Sequence, residues 1–334
     1  MVPKIYIGTS GYSYDDWKDV FYPPKMQRKD FLEYYTKFLN ATEVNFTYYQ
    51  MPFAKTIEAL IRKSEGKVQF SIKAHQSMTH ERIEDNSLYE KFQVALDPLA
   101  REGVLSCILA QFPFSFKRNP QAIEFLDRFS KRMRRYPVVV EFRHSSWVNK
   151  DMLLFLKERG LGFCCVDEPK LPGLVPKVLA FSNKIGYLRF HGRNTQTWWN
   201  YTDQAERYDY LYNYRELSDW FHRLKNTPED INELFIFFNN HPRAQAVKNA
   251  FMMKRLYGHE LTVPEDLELI AQNNVITEFL NETRTASSKA SEDDKDSADL
   301  KEVEDTLPEA SDTEEEEENY VAPQKATRRR TKAK

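Results

Sequence analysis

The sequence predicts an α/β fold, a TIM-type (β/α)8 barrel with a disordered C-terminal tail. Eight short apolar runs alternate with helical patterns before about residue 260, as expected for βα units around a parallel sheet. Most of these runs end in charged or amide side chains, and a barrel gathers such strand ends into one pocket. The chain has 334 residues, 41% of them hydrophobic, which is enough to fill a barrel of this class.

The predicted strands are rich in β-branched and aromatic residues, which favour burial in a parallel sheet. The fifth strand is the clearest, because Val138, Val139 and Val140 stand in a row and lead to Glu141 and Arg143. In chain order, the strands are predicted at Lys4 to Thr9, Ala41 to Tyr48, Val68 to Ala74, Leu105 to Gln111, Val138 to Arg143, Gly162 to Val166, Ile185 to Phe190 and Leu234 to Phe238.

The helices between these strands are predicted from apolar spacing and from capping residues. Asn119 and Pro120, for example, form a cap and a first-turn proline. The start of the last helix, after Pro242, faces the strand ends, and such a helix start can hold an anion. The sixth connection, up to Ser182, is interrupted by prolines. The helices are expected after Asp30, from Pro52 to near Gly66, at Ser87 to Glu102, after Asn119, at Lys150 to Arg159, through Leu211 to Leu224, and through Ala246 to Gly258.

The composition changes from about Thr283 to Ala, Ser, Lys and acidic residues, which cannot bury enough apolar surface to fold. We therefore assign residues 1–282 to the barrel and residues 283–334 to a disordered tail. Its acidic run at Glu314 to Glu318 and its basic cluster at Arg328 to Arg330 offer contacts to other macromolecules. The whole chain has a formal charge of -2, and residues 1–285 alone have 39 basic and 35 acidic side chains, too small an excess to indicate nucleic acid by itself.

The cysteines point to a reducing compartment. Cys107, Cys164 and Cys165 lie in apolar runs and have no metal-type spacing. The sequence contains no secretory signal and no apolar run as long as a membrane span. We therefore expect a cytoplasmic protein that does not enter a membrane.

Six groups of motifs follow one another along the chain. They are G-T-S-G-Y at Gly8 to Tyr12, E-V-N-F-T-Y-Y at Glu43 to Tyr49, K-A-H at Lys73 to His75 with T-H-E at Thr79 to Glu81, V-E-F-R-H-S-S-W at Val140 to Trp147, R-F-H-G-R at Arg189 to Arg193, and F-N-N-H at Phe238 to His241. This ordered set resembles the YecE-like family, also called the domain of unknown function 72 family, over roughly residues 4–260. The resemblance implies a TIM-type barrel, but the family has no established reaction.

The strand ends supply a candidate active site. We expect acid/base roles for Glu43 and Glu141 and a proton shuttle at His191. Cationic side chains at the same strand ends would bind a phosphate or a carboxylate. The loop from Arg193 to Tyr208 would either stack a flat group or form a lid whose aromatic side chains cover the barrel mouth. The residues expected to bind substrate are Lys73, His75, Arg143, Asp167, Arg189, Arg193, Trp198, Asn239 and Asn240. The alternative is a buried ion network that only neutralises polar groups at the barrel mouth.

No metal site is predicted. A divalent ion is the alternative, with ligands drawn from Glu43, His75, Glu141, Asp167, His191 and His241. Against it, the sequence contains no H-x-x-x-H or H-x-H spacing, and nearby lysine and arginine side chains would repel a cation. The sequence also lacks the G-x-G-x-x-G and Walker-type motifs of nucleotide-binding proteins, so the cofactor is left unassigned.

These residues predict an enzyme, a hydrolase or an isomerase, that acts on a small phosphorylated or otherwise anionic substrate by acid/base or hydrolytic chemistry. Two alternatives stay open. One is a nucleic-acid-binding or nuclease-like barrel, which the basic strand ends and the aromatic loop would suit. The other is a non-catalytic barrel that recruits partners through its tail.

Overall fold

Residues 3–258 are described in the computed structural model. Within them, eight parallel strands close into a barrel in sequence order, which confirms the predicted (β/α)8 class. The predicted tail, residues 283–334, lies outside the described residues. The strands are β1 Lys4–Ser10, β2 Ala41–Val44, β3 Gln69–Lys73, β4 Leu105–Gln111, β5 Val138–Glu141, β6 Leu161–Asp167, β7 Ile185–Phe190 and β8 Glu233–Phe238.

The helices surround the barrel and pack their apolar faces on the outer side of the strands. Short 3-10 turns lie at Asp15–Trp17, Arg28–Asp30, Ser145–Trp147, Gln204–Tyr208 and Pro242–Ala244. The α-helices are α1 Phe31–Tyr35, α2 Phe46–Tyr49, α3 Ala54–Ser64, α4 Gln76–Thr79, α5 Asn86–Ala95, α6 Asp97–Arg101, α7 Pro120–Arg132, α8 Lys150–Glu158, α9 Tyr214–Leu224 and α10 Gln245–Leu256.

Closure of the barrel aligns β1 with β8 from Lys4 opposite Glu233 to Thr9 opposite Phe238. Alternation along β7 then separates two environments. Tyr187 and Arg189 point into the barrel, where both contact Glu43, whereas Phe190 packs against Tyr212 and Trp220 on the outer side.

The Tyr35 hydroxyl ties β1 to β2. It accepts a hydrogen bond of 3.0 Å from the backbone N–H of Thr9 and donates one of 2.8 Å to the carbonyl of Ala41. Gly8 lies at the same place, and a Cβ there would stand 1.8 Å from the Ala41 carbonyl oxygen. The close approach of the two strands therefore requires glycine at position 8.

Some predicted boundaries were wrong. The second strand ends at Val44 instead of Tyr48, because the chain turns into α2 and the Thr47 hydroxyl donates to the carbonyl oxygens of Val44 and Lys73. The third predicted helix is divided into α5 and α6, since Pro98 has no N–H to continue the first of them. At the start of the last helix, the carboxylate of Asp16 accepts a hydrogen bond from the backbone N–H of Arg243, so a side chain of the protein itself supplies the negative charge there.

The sixth connection, as the sequence indicated, contains no α-helix between β6 and β7. Among the described residues, no helix combines the length and the apolar character needed to cross a membrane.

Candidate active site at the strand ends

A cavity of about 570 Å³ opens at the C-terminal ends of the strands. Among the described residues that line it, four carry a positive charge and one, Asp203, carries a carboxylate. The cationic residues are Lys73, Arg143, Arg189 and Arg207. The cavity wall is therefore basic, at the end of the barrel where the sequence predicts the site.

Arg189 is the centre of a buried ion network beneath this wall. Its Nε and Nη2 donate hydrogen bonds of 2.8 Å each to the two carboxylate oxygens of Glu43. Its Nη1 donates one of 2.6 Å to Glu141, and Nη2 also lies 3.2 Å from the Ser10 hydroxyl. The Tyr187 hydroxyl lies 2.8 Å from Glu43. Two of the three predicted catalytic residues thus serve as counterions of one arginine.

Glu141 also faces Arg143, whose Nε lies 2.5 Å from Oε1 in an ion pair that lacks hydrogen-bond geometry. Burial alone would raise the pKa of Glu141, but the charges of Arg143 and Arg189 outweigh burial and hold the pKa well below 4.5. Glu141 therefore stays ionised near neutral pH.

His191 completes the network as a neutral ring. Its Nε2 lies 3.2 Å from Glu141 and its Nδ1 lies 3.0 Å from the amide nitrogen of Asn239. Because the carboxylate needs a donor and the amide N–H needs an acceptor, the proton belongs on Nε2. Burial, with Arg143 next in size, lowers the pKa of His191 to about 3. His191 is therefore a hydrogen-bond donor at pH 7 and not a charged acid.

Lys73 stands apart from this network. Its Nζ lies 4.5 Å from the centre of the Tyr48 ring, and no carboxylate of the described residues lies within 4.0 Å of it. Burial and the charge of Arg189 lower the pKa of Lys73 to about 7. His80 lies beyond the same ring, 4.9 Å from it between centroids, and burial and Lys73 lower the pKa of His80 to about 4.

Glu168 is a second carboxyl group with an unusual pKa. One oxygen accepts from the backbone N–H of Val175 at 2.9 Å, while the other is buried without a hydrogen-bond partner, 3.7 Å from Arg143. Burial raises the pKa of Glu168 to about 8, although Arg143 opposes this shift. Glu168 is therefore largely protonated at neutral pH.

An aromatic rim covers one side of the cavity. The Arg207 guanidinium carbon lies 5.5 Å, 5.8 Å and 4.7 Å from the ring centres of Trp198, Trp199 and Tyr201. Trp198 is fully buried, whereas Trp199 and Tyr201 are 39% and 40% exposed. The exposed faces of Trp199 and Tyr201 are thus the ones able to meet a flat ligand.

The structure brings many of the predicted site residues together. Those that line the cavity are Lys73, Arg143, Arg189, Trp198 and Asn239. Glu43, Glu141 and His191 lie directly beneath this surface through the contacts given above.

Four predicted substrate-binding residues lie away from the cavity lining. Asp167 accepts from Arg193, Tyr212 and Trp220 on the outer side of the barrel. Arg193 is held by Asp167 and Glu216, and Asn240 by the Tyr210 carbonyl and Asn249. His75 lies 2.7 Å from the Ser77 hydroxyl. Strand alternation explains why the Asp167 side chain lies outside the cavity, since Asp167 is paired with Phe190 in the sheet and shares its outward direction.

Sequence reasoning missed several residues of the cavity. Asn45 and Tyr48 belong to the E-V-N-F-T-Y-Y motif, and His80 belongs to the T-H-E motif, so both motifs carried a usable signal. Gln111 ends β4 and could have been found by the strand-end rule. Arg207 and Tyr208 belong to the loop that the sequence indicated, although neither was named there, and Tyr14 comes from a loop for which the sequence gives no positional signal.

The candidate ligands of the metal alternative are engaged by other partners. Glu43 and Glu141 are paired with Arg189, Asp167 faces outward, and His75 bonds Ser77. Among residues 3–258, no group of three or more His, Cys, Asp or Glu side chains is placed to hold a metal ion. The donor set described here does not fit a divalent cation.

Comparison with known proteins places these features in a family. Residues 6–271 match the family described as "Protein of unknown function DUF72". The chain is 31% identical over 283 residues to the UPF0759 protein YunF of Bacillus subtilis (strain 168), covering 79% of this chain and 99% of that protein. These matches confirm the resemblance that the motifs indicated.

Solved structures of DUF72 family proteins have the same fold. A DUF72 family protein from Thermotoga maritima superposes with a TM-score of 0.71 at 37% identity, covering 76% of this chain and 99% of that one. A DUF72 family protein from Enterococcus faecalis V583 has a TM-score of 0.68 at 22% identity, with 78% and 99% covered, a likeness of fold alone.

Proposed function

The chain belongs to the DUF72 family of proteins of unknown function, and we propose that it is an enzyme that binds a small anionic substrate at the strand ends and acts on it by acid/base chemistry. A phosphorylated or carboxylated metabolite is the substrate class. A cavity of about 570 Å³ suits a ligand of that size.

The observation that carries this proposal is the charge of the cavity wall, with four cationic side chains against the single carboxylate of Asp203 among the described lining residues. Two of the four, Arg143 and Arg189, are already neutralised by Glu43 and Glu141. Lys73 and Arg207 have no carboxylate of the described residues within 4.0 Å. These two unpaired cations would gain an ionic partner when an anion binds.

The roles follow from the charge states. We assign to Glu43 and Glu141 the task of fixing Arg189 and Arg143 in the cavity wall, because these carboxylates are joined to the two guanidinium groups by buried ion pairs. Neutral His191 orients Glu141 through its Nε2–H. Lys73 and Glu168 have pKa values of about 7 and about 8, close to the pH at which proton transfer is most effective.

A thermal-shift experiment tests the proposal. The wild-type protein is heated with inorganic phosphate, small phosphorylated compounds and carboxylates, alongside Arg207→Met and Lys91→Met. Lys91 is an exposed lysine on α5 and serves as the matched control. A bound anion at 100 times its Kd adds about 2.7 kcal/mol to stability, which is several degrees in Tm for a chain of this size.

We expect phosphate to raise the Tm of wild type and Lys91→Met equally, and to raise that of Arg207→Met several-fold less. Stabilising compounds are then incubated with the enzyme and followed by NMR for turnover, which should be lost in Glu141→Gln. If no anion raises the Tm, or if Arg207→Met responds like the wild type, the proposal is wrong.

A second candidate function, nucleic-acid binding, is favoured by one observation. Trp199 and Tyr201 expose about two-fifths of their surface next to Arg207, an arrangement able to stack an unpaired base. Affinity for a short single strand should then fall steeply with salt, and Trp199→Ala should cost about 1–3 kcal/mol in binding. A ligand that binds with little salt dependence and survives Trp199→Ala would favour the small-anion enzyme.

We also propose a cytoplasmic location. Cys107, Cys164 and Cys165 are all free and buried, as is usual in reducing compartments. Cell fractionation with an antibody to the protein tests this, and recovery in a secreted fraction would contradict it.

A further inference from the structure

Lys73 differs from the other cations buried at the strand ends. Arg189 has two carboxylate partners and Arg143 has Glu141, but the Lys73 amine has none among the described residues within 4.0 Å. It lies over the Tyr48 ring at 4.5 Å and faces the cavity. A lysine whose purpose was to balance charge would be expected beside a carboxylate.

The surroundings of Lys73 leave a large share of its amine neutral at pH 7. Burial, then Arg189 and Arg143, lower its pKa to about 7, while Glu141 and Glu43 act in the opposite direction. Both carboxylates are engaged by Arg189, which weakens their pull on the lysine. His80, on the far side of the Tyr48 ring, has a pKa of about 4 and adds no positive charge at pH 7, and burial raises the pKa of the Tyr48 hydroxyl, which is uncharged there.

We propose that Lys73 is a nucleophilic amine that forms an imine with the carbonyl carbon of an aldehyde or ketone bearing an anionic group. The proposal rests on the proposed function, because the anionic group is what brings the carbonyl into this basic cavity. Lysines next to other cations in desolvated pockets are activated in this way. Arg207 is the other cation of the described cavity lining that has no carboxylate within 4.0 Å, and it is the contact for the anionic group.

The chemistry balances without a further reactant. The Nζ lone pair of Lys73 attacks the carbonyl carbon, the C=O π electrons move to oxygen, and proton transfer from nitrogen to oxygen gives a carbinolamine. The oxygen then leaves as water with a second proton, and a C=N bond replaces the C=O bond. Protonation of this imine nitrogen acidifies the neighbouring C–H, and addition of water restores the amine and the carbonyl.

Reductive trapping of the full chain tests the proposal. Pyridoxal 5′-phosphate, an aldehyde with a phosphate group, serves as the probe at a ratio near one to the protein. Sodium borohydride then adds hydride to the imine carbon and fixes the adduct as a secondary amine, which peptide mass spectrometry locates. Labelling is repeated from pH 6 to pH 9, with and without inorganic phosphate, on wild type, Lys73→Arg and Lys91→Met.

We expect at least ten-fold more label on Lys73 than on the exposed Lys91, half-maximal near pH 7, and displaced by phosphate. Lys73→Arg should lose this label and still be stabilised by phosphate, since it keeps the charge and lacks the nucleophile. Equal labelling of Lys73 and Lys91 in the wild type would overturn the proposal whether or not any variant folds.

The experiment separates the two proposals. Stabilisation by phosphate without label on Lys73 would overturn the imine and leave the anion site standing. The opposite outcome is selective label on Lys73 together with no effect of phosphate, which would neither displace the label nor raise the Tm. This outcome would support the nucleophile and contradict the anion site.

Discussion

Arg189 and Glu43 are joined by two hydrogen bonds, Nε to Oε1 and Nη2 to Oε2, each 2.8 Å long. Arg189 is 2% exposed and Glu43 is fully buried, and they come from β7 and β2, which β8 and β1 separate in the closed barrel. The fork of the guanidinium matches the carboxylate at both points, which a lysine could not do. This pair fixes the floor of the candidate active site.

Removing the Arg189 side chain should lower the free energy of unfolding. In Arg189→Met the buried carboxylates of Glu43 and Glu141 lose their shared counterion, and breaking a buried pair costs about 3–5 kcal/mol. We expect a loss of this size in the free energy of unfolding, measured by urea denaturation. Arg128→Met, which removes the partly exposed pair with Glu84, should cost about 1 kcal/mol or less. Equal losses in the two variants would show that the Arg189 network contributes no more to the free energy of unfolding than a partly exposed ion pair does.

Because of Glu168, the free energy of unfolding should fall as the pH rises. Its folded pKa of about 8 lies above the ordinary 4.5, so the folded state binds the proton more tightly than the unfolded state between these values. The stabilisation is complete below pH 4.5 and is lost as pH rises to about 8.

The measurement for Glu168 is urea denaturation from pH 5 to pH 9. Glu168→Gln cannot ionise, so its stability relative to wild type should rise across this range by up to roughly 4 kcal/mol. Glu90→Gln, an exposed helical control, should keep the wild-type pH profile. Parallel profiles for wild type and Glu168→Gln would contradict a raised pKa.

Tyr35→Phe should weaken the junction of β1 and β2. It removes the acceptor of the buried Thr9 N–H and the donor to the Ala41 carbonyl, and leaving such groups unpaired costs about 1–3 kcal/mol. Urea denaturation measures the loss. Tyr49→Phe, at a side chain 70% exposed, should change stability by less than about 0.5 kcal/mol.

Gly8→Ala should prevent normal folding or cost more than about 3 kcal/mol, because its Cβ would lie 1.8 Å from the carbonyl oxygen of Ala41. The comparison is Gly66→Ala, where φ is +68° and no atom lies within 4 Å of the new Cβ. Only backbone strain acts there, about 1–2 kcal/mol. Circular dichroism and thermal melting distinguish the two, and a Gly8→Ala protein as stable as Gly66→Ala would contradict the predicted clash.

The barrel was predictable because its signals are local. Apolar runs, capping residues such as Asn119, and glycines between elements each act within a few residues of chain, so strand order and number follow from the sequence. Asn119 does cap α7 by accepting from the N–H of Ala122. Boundaries failed where a contact with another strand decides them, as at Thr47, whose hydroxyl bonds the backbone carbonyl of Lys73 in β3.

The sequence by itself determined the family, the eight-stranded barrel and the rule that polar strand ends meet in one place. Tertiary structure decided which of those ends face inward. Alternation fixes the direction of each side chain only relative to its neighbours in one strand, and the register between strands sets the absolute direction. Asp167 stands beside Phe190 and faces the helices, whereas Arg189 beside Val166 faces the interior and meets Glu43 from 146 residues away.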